Sequence, residues 1–272
     1  MMNRISLNQM TTRRWSMEKD FQAIDDLGLK NIGLWRLKYE ELGESETANL
    51  INKFKVNVSS ISWVGGFTGS HGYLIDDCIR EAVQVIRFAS WVGAKTVVVA
   101  TGEQDKHIFS YAQKLVTDSL MLLGDYAKEC NVELAVMPMA PATARGWTFL
   151  TSLKKTTEFL KQCDHPNIGL CLHSYHALQD SQWKQILPQL IPHIKLVKLC
   201  DGASPKRPRK QCLPGQGKMN LPGLFETLES HNYQGLYEID TWCEQHWKSN
   251  QTDQLRSSLN SIKDWLAVPS SK

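Results

Sequence analysis

The 272-residue sequence has no apolar run approaching the ~18 residues that a membrane-spanning helix needs. Its opening stretch, MMNRISLNQMTTRRW, lacks the apolar core of a secretory signal, so none is expected. It has no excess of one charge. Against 31 Lys and Arg stand 28 Asp and Glu, and a formal net charge of +3 offers no track for nucleic acid and no grip on an anionic membrane. The seven cysteines form no CxxC pair, which removes zinc knuckles and thioredoxin-type motifs. Several of them lie in apolar runs, where Cys behaves as a small hydrophobe, and a reducing cytoplasm is the expected setting. No GxGxxG follows the first predicted strand, which argues against a dinucleotide-binding open sheet. No linker or break in composition divides the chain, so residues 1–272 are read as one domain. With 42% hydrophobic and 22% charged residues, the chain has the composition of a folded protein rather than a disordered one.

What is present is a regular alternation. Short apolar runs predict strands at 4–8, 31–35, 56–62, 96–100, 132–137, 168–172, 195–200 and 235–240. Helical patterns follow them at 17–27, 46–54, 73–92, 105–130, 149–163, 181–190, 221–231 and 253–266. The first helix has its start signal in Ser16 and its stop in Gly28. Residues 65–72 form a Gly-rich loop and 201–219 a long polar one. Strict strand-then-helix order implies a parallel sheet with right-handed crossovers. Eight such units in under 280 residues predict an α/β protein built as a single (β/α)8 TIM barrel.

Barrel chemistry sits at the C-terminal ends of the strands. That rule selects Asn8 and Gln9; Trp35, Arg36 and Lys38; Trp63; Met137; His173 and His176; Lys198 and Asp201; and Glu238, Asp240 and Trp242. Glu238 and Asp240, two apart on a strand, share the lumen face, with Glu238 one layer deeper. Lys198 reads as a salt-bridge partner of Asp240 or Asp201 before it reads as a Schiff-base lysine. His173 and His176 read as hydrogen-bonded pocket histidines, since no thiolate or carboxylate completes a transition-metal set beside them. Glycines 65, 66, 69 and 72 lack P-loop spacing and suggest a mobile active-site loop. The basic cluster of Lys206, Arg207, Arg209 and Lys210 reads as a solvated loop, with Arg209 as a candidate anion contact. Trp183, Trp247 and Trp265 fall on predicted outer helices, where packing is the default.

Eight stretches, in order along the chain, carry a resemblance: ISLNQMTTRRW, IGLWRLK, SSISWVGGFTG, ELAVMPM, NIGLCLHSYHAL, KLVKLCDG, LPGQGKMNLPGLF and GLYEIDTW. Together the chain resembles the xylose-isomerase-like barrel superfamily, which includes sugar-phosphate isomerases and epimerases, endonuclease IV and inositol-catabolism enzymes. The resemblance implies a single divalent metal, Mn, Mg, Co or Zn, held by a Glu ending strand five, an Asp ending strand six, a His or Gln on strand seven and a Glu ending strand eight. Those positions fall here on Met137, His173, Lys198 and Asp240. Only Asp240 keeps carboxylate chemistry, so neither a metal site nor any other cofactor is expected. The retained features are Trp35, Arg36 and Lys38 after strand two, Trp63 with Gly65 and Gly66 after strand three, and His176, Asp201 and Glu238.

The resemblance therefore implies a sugar, sugar-phosphate or polyol isomerase/epimerase-like barrel with a replaced centre. His173, Lys198 and Asp240 are its candidate catalytic residues. Trp35, Arg36, Lys38, Trp63, His176, Asp201, Glu238 and Arg209 are the candidate substrate contacts. The alternative is a catalytically silent carbohydrate-binding or regulatory relative. An endonuclease is discounted, because its trinuclear zinc cluster needs more His, Asp and Glu at strand ends than this chain supplies. The expected partner is a small polar ligand such as a sugar or polyol, with no nucleic acid and no membrane, and a homo-oligomer is compatible with the reading.

Overall fold

The computed structural model describes residues 2–203, 210–248 and 251–267. Eight parallel strands close into a barrel: Ile5–Asn8, Asn31–Trp35, Asn57–Gly65, Thr96–Ala100, Glu133–Val136, Ile168–His173, Ile194–Leu199 and Tyr237–Ile239. Each pairs with its neighbours in chain order, and Leu7 closes the ring by pairing with Ile32 on one side and Ile239 on the other. The protein is a single (β/α)8 TIM barrel, as the alternation implied.

Side chains along each strand divide between two environments. Val97 and Val99 belong to the large cluster between barrel and helices, which also holds Phe21, Ile24, Val85, Ile86 and Phe88. Val98, between those two, joins Ala135, Met137, Cys171 and Leu196 in a separate cluster inside the barrel. This is the period-two rule of a strand buried on both faces. Phe21 is fully buried, and such a side chain contributes on the order of 1.5–3 kcal/mol. The opposite part of the lumen is polar. Ser6, Asn8, Ser60, Ser62, Lys198 and Glu238 are all fully buried.

The helices start where their capping residues stand. Ser16 accepts from the Lys19 amide, Ser152 from the Lys155 amide and Asn220 from the Gly223 amide. Helix Ile75–Trp91 places Asp76 and Asp77 in its first turn and buries Cys78, Ala82, Val85, Ile86 and Ala89 along one face. Among the described residues no helix is long and apolar enough to cross a membrane.

Three segments differ from expectation. A helix, Arg36–Leu42, begins directly at the end of the second strand, before the expected one at Glu44–Phe54. The loop after the seventh strand contains a short antiparallel ribbon of Asp201–Gly202 with Gln211–Cys212. The Gly-rich loop is fastened rather than free, because Phe67 and Thr68 are fully buried and the Gly66 amide donates to Ala100 O at 3.1 Å. Arg209 and most of the basic cluster lie outside the described residues.

Candidate functional site

The floor of the barrel mouth is a buried ionic cluster. Lys198 and Glu238 pair in register on adjacent strands, as do His173 and Lys198. Lys198 Nζ donates to Asp240 Oδ2 at 2.6 Å and to Ser62 Oγ at 2.9 Å, and it lies 3.2 Å from Glu238 Oε1. The expected pairing of Lys198 with Asp240 is thus present. Burial pulls the ammonium down, but Asp240 and Glu238 outweigh it and hold it above its ordinary range. An ammonium has three N–H donors, and three oxygens surround this one. Lys198 is fully buried and does not line the cavity above.

Glu238 sits one layer deeper, as expected of a strand neighbour two residues from Asp240. It accepts from Asn8 Nδ2 at 2.7 Å, Ser59 Oγ at 2.5 Å and Ser60 Oγ at 2.9 Å, and it is fully buried. These partners come from the first and third strands, so the carboxylate ties the polar side of the lumen together. Room for it is made by Gly33. A Cβ built there would stand 2.4 Å from Glu238 Oε2 and 2.5 Å from Asn8 Nδ2.

Above the cluster opens a cavity of about 1000 Å³. Asp240, His173, His176 and Met137 form part of its wall, together with Trp35, Arg36 and Trp63. The strand-end rule therefore brings seven of its selected residues into one cavity, and Trp242 makes an eighth. His173 and His176 lie with ring centroids 4.6 Å apart. Burial, with the Lys198 charge second, pushes His173 down to about 3. Burial, with His173 second, holds His176 well below its ordinary value. Both imidazoles are neutral at neutral pH. His173 Nδ1 and Trp63 Nε1 are buried without a hydrogen-bond partner, which is the condition of groups awaiting a ligand or a water.

The remaining expected contacts are elsewhere. Lys38 turns away from the mouth and donates to Asp20 Oδ2 at 2.5 Å and to Thr12 O at 3.0 Å. The reason is the unexpected helix: two residues apart on a helix, Arg36 and Lys38 face different sides. Asp20 is raised to about 6 by burial, against the pull of Lys38. Asp201 accepts four backbone amides, from Gly202, Gly215, Gly217 and Met219, at 2.7–3.2 Å. It fastens the returning loop and does not line the cavity. Arg36 lines the mouth but is held by Glu40 and Glu81. Trp247, expected on an outer helix, stands at the mouth, where its indole donates to Thr11 O at 2.9 Å.

Several cavity residues were not selected from the sequence: Arg13, Trp147, Tyr175, His71 and Gln211. Trp147 packs against Trp63 with centroids 4.9 Å apart and ring planes tilted by 44°. The Pro138 and Pro141 loop after the fifth strand was the available signal for Trp147, since that loop must run across the mouth. Among the described residues no group of three or more His, Cys, Asp or Glu is placed to hold a metal ion.

The closed barrel with a polar, aromatic mouth defines the class, and comparison with known proteins gives the family. The model of the xylose isomerase-like TIM barrel family matches residues 21–265, and the chain belongs to that family. The chain is 24% identical over 160 residues to a 3-dehydroshikimate dehydratase from Pseudomonas putida. That match takes in 54% of this chain and only 24% of the dehydratase. The solved structure of protein SMc04130 from Sinorhizobium meliloti 1021 superposes with a TM-score of 0.88 at 17% identity, covering 97% of this chain and 98% of the other. That of the 3-keto-D-glucoside 4-epimerase YcjR from E. coli gives 0.79 at 17% identity, covering 96% and 99%. At such identities these structures share the fold, and a fold alone does not carry an activity.

Proposed function

We propose that this protein binds a small sugar or polyol in the aromatic cavity and moves a proton on it, as an isomerase/epimerase-like barrel without the family's divalent metal. The observation that carries the reading is the Lys198–Asp240 contact at 2.6 Å, at strand ends where the resemblance expects metal ligands. A dication does not suit the donors present. Met137 offers a soft thioether, Lys198 brings a positive charge, and the Asp240 oxygen nearest the cluster is already taken. His173 alone remains, and no step here runs through a metal.

The protein's own residues divide the work. Asp240 reaches the cavity and is the candidate base or hydroxyl acceptor. His173 and His176, kept neutral by burial, each offer one ring N–H donor and one acceptor nitrogen to substrate hydroxyls, and their lowered values leave proton abstraction to Asp240. Lys198 is a positioning residue, since it fixes Asp240 and keeps its charge balanced. The indole faces of Trp35 and Trp63 suit the C–H faces of a sugar, and the unpartnered His173 Nδ1 and Trp63 Nε1 suit its hydroxyls. The family and the sugar-acting epimerase of the same fold support this ligand class.

One observation favours a second reading, a catalytically silent carbohydrate binder. The Lys198 ammonium is surrounded by three protein oxygens, so it has no donor left to stabilise an oxyanion on a substrate. Solvent-hydrogen exchange separates the two. Aldoses, ketoses and their reduced polyols are incubated in D2O with the protein, and carbon-bound hydrogen is followed by NMR. The proposed activity predicts deuterium incorporation next to the carbonyl of an aldose or ketose, which Asp240→Asn abolishes, while the polyols, which have no carbonyl, report binding only. Binding without exchange selects the silent reading, and the absence of any binding overturns both.

A further inference from the structure

Arg13 is the cation on the cavity wall that has no carboxylate partner among the described residues. The acids sharing that wall are all matched: Glu40 and Glu81 with Arg36, and Asp240 with Lys198. Among the lining bases, Arg36 is spent on Glu40 and Glu81, and His71 pairs with Glu103. Arg13 instead stands over three indoles. Its Cζ is 4.7 Å from the Trp242 ring, 5.4 Å from Trp247 and 5.7 Å from Trp35.

The two residues that lead into Arg13 are fixed. Thr11 Oγ1 donates to Ile239 O at 3.0 Å and accepts from the Thr241 amide at 2.9 Å. Thr12 Oγ1 donates to Asp20 Oδ1 at 2.6 Å, and Lys38 Nζ donates to Thr12 O. Trp247 closes onto the same loop through Thr11 O. The buried Asp20–Lys38 pair thus serves to hold the strand-one loop in place. Arg13, like Arg14, is exposed, and the indole faces orient its guanidinium while its five N–H donors stay available in a rigid fork. That fork matches two oxygens of a carboxylate or a phosphate.

We propose that Arg13 is the anion-binding residue of the cavity, and that the ligand is a polyol bearing a carboxylate or phosphate at one end. The inference deepens the sugar or polyol reading and rests on it. The aromatic cavity receives the carbon chain, Asp240 and the histidines face its hydroxyls, and Arg13 takes the charged end at the rim.

The test uses the full chain and three probes: D-gluconate, D-glucose 6-phosphate and neutral sorbitol. Binding is followed by calorimetry, with quenching of tryptophan fluorescence as a second readout. The inference predicts that gluconate or the phosphate binds roughly tenfold or more tighter than sorbitol, the gain expected of a charge-assisted pair. Which of the two wins identifies the anionic group. Arg13→Gln should erase the preference and leave sorbitol binding in place, and Arg13→Lys should restore only part of it. Arg14→Gln, an exposed neighbour, is the control and should change nothing. Added salt should weaken anion binding and spare sorbitol. Sorbitol binding as tightly as both anions overturns the inference and leaves the polyol reading standing. An anion preference that survives Arg13→Gln also overturns it. If none of the three probes binds, both the inference and the polyol reading fall.

Discussion

Lys198 Nζ and Asp240 Oδ2 lie 2.6 Å apart at the floor of the barrel mouth, with the ammonium wholly buried and the carboxylate nearly so. The pair stands over a second carboxylate, Glu238, 3.2 Å from the same nitrogen. One ammonium therefore balances two buried acids. Removing one member of a buried pair is far costlier than replacing the pair, because it strands the other charge.

Lys198→Met is accordingly expected to destabilise the fold by about 3–5 kcal/mol, read as a fall in denaturant midpoint at constant slope. Adding Glu238→Gln to that variant should recover part of the loss by removing one stranded charge. A Lys198→Met protein as stable as the parent would contradict the role given to this cluster.

The two mouth histidines set an acid limit. In the folded protein His173 is held down to about 3 and His176 well below its ordinary value, whereas unfolded histidine titrates near 6.5. As pH falls below about 6.5 the unfolded chain takes up protons that the folded chain does not. The unfolded state then binds more protons, so stability drops with falling pH, by up to about 1.4 kcal/mol per pH unit for each histidine. The stabilisation is fully present above 6.5 and is lost as pH approaches the folded values. Thermal melts between pH 7 and pH 4.5 check this. The decline should be shallower in His173→Gln and His176→Gln, and an unchanged slope in both would remove the histidines from the account.

Gly33 is required by its neighbour rather than by its backbone. Its absent Cβ would stand 2.4 Å from Glu238 Oε2, and the carboxylate is held by hydrogen bonds from the first and third strands and by the Lys198 ammonium on the seventh, so it cannot retreat. Gly33→Ala should cost about 1–3 kcal/mol by overpacking, measurable by chemical unfolding. A neutral effect would mean that Glu238 is less firmly placed than its hydrogen bonds imply.

The fold was legible because strands such as Thr96–Ala100 carry runs of apolar residues, and because eight strands alternate with helices. The strand-end rule then found Trp35, Trp63, His173, His176 and Asp240 in one cavity. It failed for Lys38, since nothing in WRLK announced that a helix starts at once and turns Lys38 toward Asp20. It failed for Asp201, whose carboxylate is consumed by amides of a loop returning 14 to 18 residues later. Arg13 was invisible for a different reason. An arginine in a loop gains meaning only when Trp35, Trp242 and Trp247 close around it from two other strand ends.

The donor set at the four strand ends can be reversed. Met137→Glu, His173→Asp, Lys198→His and Asp240→Glu together rebuild the ligand types that the resemblance implies. The combined variant should gain affinity for Mn2+, seen as calorimetric binding and a metal-dependent rise in melting temperature. No gain in the quadruple variant would mean that more than these four side chains separates this barrel from its metal-binding relatives.

The most direct test of the central claim is the metal content of the natural chain, purified without a chelating tag and analysed for Mn, Mg, Co and Zn by mass spectrometry. A floor built on Lys198 and Asp240 predicts far less than one ion per chain, and no loss of sugar binding after dialysis against chelator. Close to one ion per chain, lost together with ligand binding on chelation and absent from Asp240→Asn, would contradict it.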